Sequence, residues 1–145
     1  MRTLATSKSL LALFLLVASL LACKGLGLGS SSPTSTFKAL YEAQKKKDVP
    51  GIKKTLSKGS LAMVEQGAKD INRTLDELLK VGFDPAFKAG MPNTRNEKIN
   101  SDTATLEVQD DESKKWETLY FVKEDGDWKL ALDKTQEELF KKLGQ

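Results

Sequence analysis

Histidine is absent from this 145-residue sequence, and cysteine occurs once, at Cys23. Without an imidazole the chain cannot assemble a His-based triad or a His-rich metal site, and a single thiol cannot close an intrachain disulfide. Aromatic residues are sparse at 7%. No apolar run reaches the roughly 20 residues that a bilayer-spanning helix needs. One-sided charge is missing as well, with 23 basic against 20 acidic residues and a net charge of +3. The lysines are scattered among acids except at Lys45-Lys46-Lys47, which reads better as a solvated helix end than as a nucleic-acid stripe. What remains is a chain 39% hydrophobic and 30% charged, with a mean hydropathy of −0.38, the balance of one small soluble domain.

The N-terminus carries the most specific pattern. Arg2 and Lys8 form a basic leader ahead of the apolar run 10–22, which reads as a signal peptide. The run closes on Leu20-Leu21-Ala22-Cys23, which resembles the bacterial lipobox. That resemblance implies cleavage between Ala22 and Cys23, then lipidation of the Cys23 thiol. Acyl chains contribute roughly 0.8 kcal/mol per buried methylene, so two or three of them hold a small domain at a bilayer without a transmembrane segment. Lys24 occupies the position where an aspartate marks inner-membrane retention in related lipoproteins. The implied location is therefore the cell envelope, at an outer membrane if the cell has one, facing the periplasm or the surface. Losing the leader leaves 21 basic against 20 acidic residues, so the processed protein is close to neutral.

Three segments are expected: a leader over 1–22, a lipidated Cys23 with a Gly/Ser tether through 31, and one domain over 32–145. Glycine and serine between Gly25 and Ser32 leave that tether little apolar area to bury. Ser32-Pro33 then opens a helix with Phe37, Leu40 and Tyr41 on one face, and Asp48 caps a short second helix containing Pro50, Ile52 and Leu56. A third helical stretch begins near Ser60 and carries Leu61, Val64, Ala68, Ile71, Leu75, Leu78 and Leu79. The capping-box pattern Thr74-Leu75-Asp76-Glu77 inside it predicts a break near Asn72, and Gly82 is the expected stop. A loop with Phe83, Pro85, Phe87, Gly90, Met91 and Pro92 follows, apolar enough to pack down over something.

The period then changes from helical to alternating. An edge strand is expected over 94–100, then a half-buried strand in which Ala104, Leu106 and Val108 share a face. A central strand from Trp116 to Lys123 has apolar residues on both faces. Asp125-Gly126 is a two-residue hairpin turn, leading to Trp128, Leu130 and Leu132. Thr135-Gln136-Glu137-Glu138 looks like a second capping box for a terminal helix with Leu139, Phe140 and Leu143, and Gly144 falls past its end. Helices followed by strands imply an α+β class: N-terminal helices on a curved four-stranded antiparallel sheet, with a short C-terminal helix.

The stretches Phe37-Lys38-Ala39-Leu40-Tyr41-Glu42-Ala43 after Ser32-Pro33, Lys47-Asp48-Val49, and Glu124-Asp125-Gly126-Asp127-Trp128-Lys129-Leu130 resemble small bacterial lipoproteins of the nuclear-transport-factor-like superfamily. This is the cone-shaped fold shared with ketosteroid isomerases. The resemblance implies a curved sheet wrapped by helices, and it conveys architecture more than activity. Enzymes of that superfamily place a carboxylate base and a tyrosine or histidine donor within the cone. Here the candidates are Tyr41 and Tyr120, with Asp84 or Asp102 at the mouth; the plainer reading makes the tyrosines core residues and the aspartates turn formers.

Tyr41, Trp116, Tyr120 and Trp128 are the ligand-pocket candidates, though each also fits as ordinary core. Asp110-Asp111-Glu112 lacks the spacing of a calcium loop and suits a hairpin turn better. No catalytic residue, metal ligand or cofactor site is assigned. The leading expectation is a lipid-anchored, non-catalytic envelope module binding a small apolar ligand or an envelope protein, without nucleic acid. The alternatives are a cavity enzyme of the isomerase or dehydratase type and a purely structural envelope module.

Overall fold

The computed structural model describes residues 32–82 and 90–144. The leader, Cys23 and the tether lie outside the described residues, as do Phe83, Asp84, Pro85 and Phe87.

Four helices come first: α1 (Pro33–Lys46), α2 (Val49–Thr55), α3 (Lys58–Asp70) and α4 (Leu75–Val81). Each begins where a short polar side chain accepts from a backbone amide that the first turn leaves orphaned. Ser32 caps α1 ahead of Pro33, Asp48 caps α2, Ser57 caps α3 and Thr74 caps α4. The break near Asn72 is present: Asn72 has φ 54°, and Thr74 and Glu77 form the reciprocal capping box that restarts the chain as α4. The third helical stretch is therefore two helices, and it starts from Ser57 rather than Ser60.

A sheet in the order β1-β2-β3-β4 follows, with all three pairs antiparallel: β1 (Thr94–Asn100), β2 (Thr103–Gln109), β3 (Trp116–Glu124) and β4 (Asp127–Leu130). The fold is thus α+β, helices before a curved open sheet, closed by α5 (Leu132–Lys142). Both residues of the Asp125-Gly126 turn have positive φ, 53° and 87°, as a tight hairpin requires. In β1 the register shifts between Arg95 and Lys98, with Asn96 at φ 52°, a bulge that bends the edge strand.

Alternation decides which sheet face the helices cover. Ala104, Leu106, Phe121, Trp128 and Leu130 are buried with Phe37 and Leu40 of α1, Ile52 of α2, Leu56 and Leu79 of α4 in one core cluster. The opposite face, with Thr105, Glu107, Thr118, Tyr120 and Val122, is half-exposed along its length. Among the described residues, no helix is long and apolar enough to cross a membrane.

The expected capping box at Thr135 is corrected. Helix α5 starts at Leu132 from Ala131, with no side-chain cap, and Thr135 lies within it. β4 is short and stops opposite Phe121, so the Tyr120 amide lacks a strand partner. The Thr135 hydroxyl accepts that amide at 3.1 Å and donates to the Ala131 carbonyl at 2.9 Å, which leaves it unable to cap. Glu138 instead pairs with Lys141 at 2.8 Å.

Candidate ligand cavity

Between α1 and the helix-covered sheet face lies a cavity of about 180 Å³. Phe37 and Leu40 close it from α1 because they fall one turn apart on the buried side of that helix. Val108, Leu119 and Leu130 form the opposing wall from three adjacent strands, and Leu132 closes the end where β4 passes into α5. The polar part of the lining is Gln109, Asp110 and Glu117, located where β2 ends and β3 begins, beside the buried Pro92.

Gln109 is committed to the protein. Its amide nitrogen donates to the Lys114 carbonyl at 3.0 Å, and its oxygen accepts from Asn93 at 3.2 Å. Asp110 Oδ1 accepts the Ser113 amide at 2.6 Å, and the Ser113 side chain and backbone together hold its carboxyl below the usual carboxylate range. Asp110 is therefore an ionised turn former at neutral pH. Glu117 is solvent-exposed and makes neither a hydrogen bond nor an ion pair among the described residues.

The four pocket candidates read from the sequence are not brought together. Trp116 and Tyr120 pair with Gln109 and Thr105 on the outward face of the sheet, whereas Trp128 pairs with Lys123 on the inward face and is core. Arg95 stacks over the Trp116 ring at 3.8 Å while holding Glu107 at 2.6 Å, which accounts for Trp116 as part of a surface cluster. Tyr41 follows Leu40 on α1 and is half-buried, outside the cavity lining. Asp102 sits exposed in the β1–β2 turn, its carbonyl accepting from the Lys123 amide at 2.8 Å. No tyrosine and carboxyl share the cavity among its described lining residues.

Asp110-Asp111-Glu112 forms the β2–β3 turn, as the hairpin reading expects. Among the described residues, no group of three or more acidic, histidine or cysteine side chains is placed to hold a metal ion.

Sequence reasoning missed a buried hydroxyl cluster that fixes the cavity's far end. Ser60 is fully buried; its hydroxyl donates to the Leu130 carbonyl at 2.8 Å and accepts the Leu132 amide at 2.7 Å. Ser57, also buried, meets Ser60 at 2.8 Å, and its amide donates to the same Leu130 carbonyl at 3.0 Å. Together they pin the start of α3 to the β4–α5 junction and so hold Leu130 and Leu132 in the wall. The signal was a serine pair spaced like an N-cap, a pattern that specifies a helix start but not a distant partner.

Comparison with protein-family models, with curated proteins and with solved structures returns no match for this chain.

Proposed function

We propose that this protein is a lipid-anchored component of a bacterial cell envelope whose domain, of the nuclear-transport-factor-like kind, binds a small apolar molecule without transforming it. The cavity between α1 and the sheet carries the reading: its wall is mostly apolar, with the polar groups gathered at the β2–β3 end, and the Ser57–Ser60 cluster pins the β4–α5 junction that closes the other end. An engineered apolar cavity of about 150 Å³ takes up benzene, so 180 Å³ suits one ring or a short branched chain. It falls below the roughly 300–1,000 Å³ of drug-sized sites, which argues against a fused multi-ring substrate of the ketosteroid type. The anchor rests on Leu20-Leu21-Ala22-Cys23 after a basic, apolar leader.

Two experiments test this. A thermal-shift panel of benzene-sized apolar compounds is expected to raise the midpoint of the native protein, and Leu119→Phe, which fills the cavity, is expected to abolish the shift while the protein stays folded. Equal shifts in native and Leu119→Phe protein contradict the cavity assignment. For the anchor, Cys23→Ala is expected to eliminate acyl labelling and leave a precursor-sized product; labelling that persists refutes it.

A further inference from the structure

Resting on the ligand-binding reading above, we infer that the cavity selects a small organic cation: an apolar body about the size of a benzene ring bearing one ammonium group that reaches Glu117. Among the described lining residues the only charged side chains are Asp110 and Glu117, and both are acids. A carboxylate or phosphate ligand would bring like charge to that mouth, whereas an ammonium brings the opposite one.

The two acids are not equivalent. Asp110 already has Ser113 on its carboxylate, and Lys114 of the same turn offsets part of its charge. Glu117 has no such partner among the described residues. It stands on β3 two residues before Leu119 and directly across from Val108, so its side chain leaves the sheet on the same face as those two wall residues. A ligand seated against Val108 and Leu119 therefore has this carboxylate beside the end that faces solvent. Gln109, the remaining polar group, has both ends of its amide engaged and adds no competing preference.

The test compares benzylammonium, benzyl alcohol and benzoate, which share a ring and differ in charge, by NMR titration of the purified protein at neutral pH and low salt. Exposed opposite charges contribute little and are screened, so the expected preference for benzylammonium over benzyl alcohol is about fivefold, shrinking toward parity at about 0.5 M salt. Benzoate is expected to bind most weakly. Glu117→Gln is expected to bring benzylammonium down to the affinity of benzyl alcohol, with the alcohol itself unchanged. Equal binding of benzylammonium and benzyl alcohol to the native protein overturns the charge selection and leaves the apolar-ligand reading standing. A preference that survives Glu117→Gln overturns the role of that carboxylate. Failure of all three compounds to bind overturns the ligand-binding reading itself.

Discussion

The two faces of the sheet are built from the same strands, yet they follow different rules. On the helix side, Ala104, Leu106, Phe121, Leu130 and Trp128 are at most 4% exposed and touch one another and the helices. On the outer side, Thr105, Glu107, Trp116, Thr118 and Tyr120 remain half-exposed, and Arg95, Glu107 and Trp116 associate through charge and ring stacking. Burial holds the inner face, where each apolar side chain removed leaves a void. Screened surface pairing decorates the outer face, where a removed group is replaced by water. The cavity belongs to the inner face and is the place where that packing leaves space.

The largest contrast is expected from Phe121→Ala against Thr118→Ala, neighbours on one strand that point to opposite faces. The first is expected to lower unfolding free energy by about 3–5 kcal/mol and the second by no more than about 0.5 kcal/mol, measured by urea denaturation. Similar losses at both positions would show that the outer face is also packed. Next in size is Ser60→Ala, which removes the buried hydroxyl's bond to the Leu130 carbonyl and strands the part-buried Leu132 amide; the expected cost is about 1–3 kcal/mol. A loss near zero would mean that the hydroxyl cluster does not fix the cavity's end.

Smallest is the outer-face pair. The Arg95 side-chain hydrogen bond, with a lesser one from Asn96, holds the Glu107 carboxyl below its ordinary value. A depressed folded-state value means that the stabilisation is present above the unfolded value and is lost as pH falls through the folded one. Arg95→Ala is therefore expected to move the Glu107 titration upward toward the ordinary glutamate range, read by carboxyl NMR. An unmoved titration would remove Arg95 as the cause.

Much of the fold was legible because local signals agreed with the tertiary arrangement. Thr74 and Glu77 specify a helix start regardless of context, Asp125-Gly126 specifies a tight turn, and the Ala104-Leu106-Val108 alternation specifies a strand with one covered face. Thr135 shows where local pattern fails: its sequence neighbours form a capping box on paper, but a strand edge at Tyr120 claims its hydroxyl first. The aromatic candidates lie apart for a different reason. Because β3 is apolar on both faces, its own sequence cannot say which side meets the helices; only the pairing of Phe121 with Leu130 and Lys123 with Trp128 settles that Trp116 and Tyr120 point away. Phe37, Leu40, Val108 and Leu130 were legible as core, but a void among core residues is a matter of fit and leaves no mark in their pattern.

The inner-face cavity is tested most directly by two-dimensional NMR of the purified protein titrated with benzene, a neutral probe blind to the acids at the mouth. Saturable shifts are expected at Phe37, Leu40, Val108 and Leu119, with Thr118 and Trp116 on the opposite face unmoved. An absence of saturable shifts, or shifts confined to the outer face, would contradict the account.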